Sequence, residues 1–338
     1  MAAIRTPLTE HARIDVPLIC GAMYPCSNPE LVAAVSAAGA IGILQPISLT
    51  YVHGHDYTEG IRLMNRLAGG RPIGMNVLIE ASSKTYLERM RKWVDIALEE
   101  GVRFFITSLG NPKWVVERVG SVGGIVYHDV TERKWAEKGL QGGVHGLIAV
   151  NDRAGGHAGP YSAERLIDDL GGYGVPVVCA GGIGDAAGFV HALRLGYAGA
   201  QLGTRFIATT ECTAHEAYKR AILEASAEDI VLTERITGVP VSVIRTPHIE
   251  RIGTKAGPIA RWMLRGRKTK HWMRTIYGLR SLHQLKRSSM RGARDEDYWQ
   301  AGKSVEEIDA VEPAGEIVRR FAVAASEAMA AEAPRPTA

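Results

Sequence analysis

Residues 176–211 read PVVCAGGIGDAAGFVHALRLGYAGAQLGTRFIATTE, and the order of their parts decides the fold. Residues 176–180 are a short apolar run of strand type, broken at once by Gly181-Gly182-Ile183-Gly184. Asp185 then opens a stretch with helical spacing of apolar residues, Gly196 closes it, and a second apolar run over 198–204 contains Gly203. Strand, glycine turn, helix and second strand make one unit of a parallel sheet with crossover helices. Glycine at a strand exit lets the backbone come close to an anion, and the free N–H groups there hold a phosphate without a lysine. In (β/α)8 barrels a phosphate commonly sits on the loops after strands 7 and 8.

Working outward, the same unit recurs. Apolar strand-type runs fall at 16–20, 40–44, 72–79, 103–108, 124–128, 146–150, 176–180 and 198–204, with amphipathic helical stretches between them. Several of those stretches open on Ser, Thr, Asp or Asn and close on glycine. The runs are nearly continuously apolar, as strands buried on both faces are. The pattern predicts an α/β protein, a (β/α)8 TIM barrel over residues 1–225. The rhythm stops near 226, and residues 226–338 read as a C-terminal helical extension packed on the barrel, ending in a helix over about 313–333. An open doubly wound sheet shares the alternation. Gly182-Ile-Gly184-Asp-Ala-Ala187 also fits a dinucleotide fingerprint, but that fingerprint expects an acidic residue about 20 positions on. The next strand ends Gln201-Leu202-Gly203-Thr204-Arg205, with no carboxylate before Glu211.

The composition is that of an ordinary globular protein: 338 residues, 46% hydrophobic and 22% charged. The first residues are charged and lack an apolar core, and no run of about 18 uncharged apolar residues follows, so a cytoplasmic protein with no membrane contact is the expectation. Four scattered cysteines, Cys20, Cys26, Cys179 and Cys212, give neither a disulfide framework nor zinc spacing, and no metal is expected. Cys20 and Cys179 read as buried thiols. The net charge of +4 conceals an asymmetry: residues 251–294 hold 13 Lys and Arg and no acid, leaving 27 basic against 36 acidic residues elsewhere. Trp262, Trp272, Leu279, Leu282 and Leu285 recur through that segment, which fits a folded cover or a homodimer contact better than a nucleic-acid arm. Basic residues with interleaved aromatics also permit nucleic-acid or anionic-membrane binding.

Two further constellations carry chemistry. After the sixth strand come Asn151-Asp152-Arg153-Ala154-Gly155-Gly156-His157-Ala158-Gly159. A histidine among glycines has no helix or strand face to pack on, and it lies where barrel enzymes place catalytic groups. Its ordinary pKa near 6.5 suits a general base at neutral pH. A surface histidine without a task is the plain alternative. After the first strand come Cys20-Gly21-Ala22-Met23, with Asn76 in the third strand and Gly110-Asn111 after the fourth. Small residues there admit a flat ring, and an amide can bond its polar edge; a turn glycine and a helix-capping Asn111 are the plainer readings. Tyr24 and His128, the latter at the end of the fifth strand, are expected to line the substrate pocket. His53 and His55 could also face it, whereas His145 and His191 read as structural.

AGGHAG (154–159), AGGIGD (180–185) and GTRFIATTE (203–211) together resemble the nitronate monooxygenase family, once called 2-nitropropane dioxygenases. That family has FMN-dependent enoyl reductase and NADH:quinone reductase branches, and the likeness covers about residues 10–225. The resemblance implies an FMN-dependent oxidoreductase on a (β/α)8 barrel. Gly181, Gly182, Gly203 and Thr204 would hold the FMN phosphate, Gly21, Ala22, Met23, Asn76 and Gly156 would line the cofactor, and His157 would be the catalytic histidine. It further implies a small-molecule substrate, an alkyl nitronate or nitroalkane, oxidised with O2 to a carbonyl compound and nitrite. The reductase reading, in which NAD(P)H serves a quinone or an enoyl thioester, shares the fold and the FMN site. The chain departs from the family pattern at Cys20 and Ala22, where Gln and Gly are frequent, and at Arg153, near a frequent glutamate.

Overall fold

The computed structural model describes residues 4–80, 83–236, 239–255, 283–291 and 298–332. After a short helix α1 (Pro7–Ala12) the chain alternates strands and helices: β1 (Leu18–Cys20), α2 (Pro29–Ala37), β2 (Ile41–Leu44), α3 (Tyr57–Leu67), β3 (Gly74–Ile79), α4 (Lys84–Glu99), β4 (Phe104–Leu109) and α5 (Lys113–Gly120). It continues with β5 (Ile125–Val130), α6 (Arg133–Gln141), β6 (Gly146–Val150), α7 (Ala163–Leu170), β7 (Val177–Ala180), α8 (Ala186–Arg194) and β8 (Ala200–Leu202). The eight strands pair in sequence order, all parallel, and β8 closes on β1. This is the predicted TIM barrel. Ser83, Ser162 and Asp185 cap α4, α7 and α8 by accepting backbone N–H bonds. Asn111 accepts from Lys113 N at 2.9 Å, in keeping with its capping reading.

Each strand divides its side chains between two cores. Ile19, Ile43, Phe104, Ile106, Tyr127, Ile148 and Val178 point into the barrel and pack on one another. Their neighbours Cys20, Leu44, Phe105, Val126, Leu147 and Cys179 point out against the helices. Full burial of one such aliphatic or aromatic side chain contributes about 1.5–3 kcal/mol, so both layers hold the strands in place. Leu8 and Ala12 of α1 close the lower end of the barrel, where Tyr127 Oη lies 3.0 Å from His11 Nδ1. All four cysteines are buried free thiols.

Beyond β8 come two helices, α9 (Thr204–Ile207) and α10 (Glu216–Glu224), and then the extension. Its described part includes more than helices: β9 (Ile230–Thr233) and β10 (Val241–Ile244) form an antiparallel pair that the periodicity did not disclose. It also holds α11 (Pro247–Ile252) and α12 (Ala314–Glu332). α12 packs on α2 and α8, with Phe321 stacked on Phe189 at 5.6 Å. Of the basic segment, residues 283–291 are helical, Leu285 is buried beside Val241 and Tyr298, and Lys286 Nζ donates to Tyr51 O at 2.7 Å. Trp262, Trp272, Leu279 and Leu282 lie outside the described residues. Among the described residues no helix is long and apolar enough to cross a membrane.

Candidate active site at the barrel mouth

The carboxyl ends of β7 and β8 carry the glycines singled out above. Gly181 and Gly182 have φ of 114° and 73°, left-handed backbone that favours glycine over any residue with a side chain. An added Cβ at Gly181 would lie 2.3 Å from Asn151 Oδ1, and one at Gly182 would lie 2.7 Å from Arg153 Nε. Both glycines are therefore required by close approach. The N–H groups of Gly181, Gly182, Ile183 and Gly184 find no acceptor among the described residues, and Gly203 and Thr204 open α9 with theirs unpaired as well. Met23, from the β1 loop, brings its sulfur against Gly203. Thus Met23, Gly181, Gly182, Gly203 and Thr204 come together as the sequence reading placed them.

The floor of the mouth is set by strand parity. Asn76 is in register with Ile106, and Gln201 with both Ile19 and Ala180, all of them inward-facing. Asn76 and Gln201 therefore face the mouth too. Among the described residues Gln201 Oε1 is buried without a hydrogen-bond partner, and half-buried Asn76 makes no side-chain hydrogen bond. A folded chain rarely leaves such groups unpaired unless a ligand or water completes them. Gly21 and Ala22 border this floor: a Cβ at Gly21 would touch the Gln201 side chain at 3.0 Å, and Ala22 packs on the inner core.

His157 stands on the loop after β6, exposed at the rim. Its ring has no hydrogen-bond partner among the described residues, and enclosure by surrounding atoms lowers its pKa below the usual histidine value. That shift favours the neutral imidazole, the form that accepts a proton. The loop itself is clamped. Gly156, at φ 69°, accepts Ser242 N of β10 at 2.7 Å, and Lys303 N donates to Arg153 O at 2.8 Å. Gly302 N donates to Thr204 Oγ1 at 3.0 Å, while the Tyr218 hydroxyl of α10 donates to Gln300 O. The extension therefore builds part of the site. Residues 298–307 were missed because nothing in their local pattern says what they pack against.

One expected residue goes elsewhere. His128 is not in the pocket. It is in register with Leu147, which faces the helices, and it is 4% exposed with Nδ1 2.8 Å from Thr107 Oγ1. Burial first, against the opposing Thr107 bond, brings its pKa down to about 4. The residue one step on, Asp129, takes the inward place instead. Tyr24 is half-buried and packs on the extension's cluster with Tyr298. Arg153, the departure beside the histidine loop, turns over Gly182 towards Glu307 Oε1 at 3.5 Å and Glu306 at 3.7 Å. Cys20 faces the helices, so its departure does not reach the mouth. His53 lies 3.1 Å from Pro25 O, and His145 Nδ1 accepts Val126 N. No group of three or more His, Cys, Asp or Glu among the described residues has the geometry to hold a metal ion.

The unpaired N–H cradle and the orphaned amides fit a phosphorylated flat heterocycle, with its phosphate at Gly181–Gly184 and Gly203–Thr204 and its polar edge over Asn76 and Gln201. Fold and mouth together define a flavin-type oxidoreductase on a (β/α)8 barrel. The nitronate monooxygenase family model matches residues 5–323, and the chain belongs to that family. One relative is the (3aS,4S,5R,7aS)-5-hydroxy-7a-methyl-1-oxo-octahydro-1H-indene-4-carboxyl-CoA dehydrogenase of Mycobacterium tuberculosis, 31% identical over 253 residues, 74% of this chain and 68% of that one. The nitronate monooxygenase of Paraburkholderia phytofirmans is 27% identical over 268 residues, 67% of this chain and 72% of that one. The structure of FabK from Thermotoga maritima superimposes with a TM-score of 0.78 at 26% identity, covering 97% of this chain and 98% of that one.

Proposed function

We propose that the protein is an FMN-dependent oxidoreductase of carbon acids, with a coenzyme A thioester as substrate and His157 as the base. The observation that supports it is His157 itself: an imidazole whose neutral form is favoured, without a hydrogen-bond partner among the described residues, on a loop fastened from both sides. Bound FMN supplies the electron acceptor. The chain supplies the rest. Backbone N–H groups at Gly181–Gly184 and Gly203–Thr204 would seat the FMN phosphate. Asn76 and Gln201 orient the ring edge, Met23 packs beside Gly203, and His157 takes the proton from the carbon next to the electron-withdrawing group. The thioester is favoured because the relative that is 31% identical is named for a carboxyl-CoA substrate. An anionic carrier also suits the basic segment 251–294.

A second reading keeps the same chemistry with a nitroalkane or nitronate and O2, and rests on the family match over residues 5–323. The test is anaerobic mixing of the purified yellow protein with an acyl-CoA, a nitroalkane, its nitronate and NADH in turn, following the flavin band. Bleaching by the thioester supports the first reading and bleaching by the nitro compounds the second. Bleaching by NADH alone overturns both. His157→Asn should keep FMN and slow turnover of neutral carbon acids by about 10^2 to 10^4-fold, with a smaller effect on preformed nitronate. In the wild type kcat/KM should fall as pH drops through a pKa below 6.5, because the imidazole then carries the proton it must accept.

A further inference from the structure

The reading of strand parity leaves one titratable group unused. Asp129 of β5 faces the barrel interior in register with inward-facing Ile148, one step above Tyr127 on the same face. Its Oδ1 is closed off from solvent and has no hydrogen-bond partner among the described residues. The adjoining strand β6 presents Ile148 and Val150, and among the described residues no charged or titratable group contributes to the shift of its pKa. Burial alone raises that pKa from the carboxylate range to about 7. Tyr127, two residues earlier on the same face, fills the level below it, so the part of the residue that remains accessible opens towards the mouth. An isolated carboxylate is costly in such surroundings, and the neutral carboxylic acid is favoured. A carboxyl kept neutral near pH 7 is a strong hydrogen-bond donor to a developing oxyanion.

We propose that Asp129 donates from the barrel floor to the substrate oxygen that becomes negative when His157 takes a proton from the adjacent carbon. This rests on the carbon-acid reading above. The C–H bond breaks, its proton bonds to the imidazole nitrogen, and its electron pair delocalises onto the carbonyl or nitro oxygen. The Asp129 O–H bonds to that oxygen; if the proton crosses, the O–H pair stays on Asp129 as carboxylate. FMN, when bound, would accept the two electrons the substrate finally loses. The two groups come from adjoining strands, His157 from the rim after β6 and Asp129 from the floor on β5.

The experiment titrates the anaerobic FMN-loaded protein with acetoacetyl-CoA, as a thioester enolate, and with ethyl nitronate, two sources of the same conjugated oxyanion. Asp129→Asn, the same shape without the acid, should keep the circular dichroism spectrum and the FMN Kd of the wild type. It should bind the accepted probe about tenfold to a hundredfold more weakly. The wild-type advantage should shrink as pH rises past about 7, where Asp129 loses the hydrogen it donates. Infrared spectra of the wild type at pH 6 should show a protonated carboxyl stretch that the variant lacks. Equal affinity in both proteins, a missing carboxyl band, or an altered FMN Kd with probe affinity unchanged would each overturn the proposal alone. Failure of the wild type to bind either probe, or to reduce its flavin with either substrate, removes the carbon-acid reading and this proposal with it.

Discussion

Tyr127 and Asp129 are two residues apart on β5 and face the same barrel interior, yet they meet opposite conditions. Tyr127 is fully buried, lies 5.0 Å from the Phe104 ring and has its hydroxyl beside His11. Its one polar atom is satisfied from within the protein. Asp129 and Gln201 stand at the upper level, each with a buried oxygen that no group among the described residues completes. The lower half of the barrel is a closed core and the upper half an unfinished one. Polar groups satisfied internally hold a fold together, whereas unpaired ones at a mouth are stable only when something from outside joins them.

That difference can be broken in order of expected effect. The largest change should come from filling the cradle. Gly182→Val puts a branched side chain at φ 73° and against the Arg153 side chain, in the place proposed for the phosphate. We expect a folded protein that purifies colourless, read as flavin absorbance per chain; a yellow variant with full FMN content would refute the placement. Below the mouth the response should reverse. Ile148→Ala empties part of a fully buried layer and should cost about 2–5 kcal/mol in denaturant unfolding while FMN still binds. A loss of flavin without a loss of stability would mean that the two halves are not separate in function.

The smallest effect sharpens the comparison on a single strand. His128 points away from the mouth, so His128→Gln should leave turnover within about twofold and lower stability at pH 7 by about 1 kcal/mol through the bond with Thr107. Its depressed pKa makes a second reading possible. Between 6.5 and about 4 the unfolded chain binds a proton that the folded one refuses, so the wild type should lose stability as pH falls through that window. The variant should lose less, as thermal unfolding at pH 7 and pH 4.5 would show. A large fall in turnover for His128→Gln would return this residue to the site.

Much of this was legible along the chain. All eight barrel strands announce themselves, because strands covered on both faces are continuously apolar and the glycines between them punctuate the turns. The glycine loops after β7 and β8, and the histidine among glycines after β6, were legible for the same reason: each is a local conformation that residue type dictates. The same continuity hid the facing of β5. In Ile125–Val130 no alternation of polarity says whether His128 or Asp129 points inward. Only the register with β6 decides it.

The sequence by itself therefore determined the barrel, the order of its units and the two loops rich in glycine, since periodicity and backbone permissiveness act within a few residues. Tertiary structure alone decided which side chains meet. It turned His128 outward and Asp129 inward, laid Arg153 over Gly182, and brought Ser242 and Lys303, from beyond the barrel, to fasten the loop of His157. The reason is physical: closure of the sheet fixes which face each residue takes, and contacts between distant segments depend on that closure rather than on local propensity.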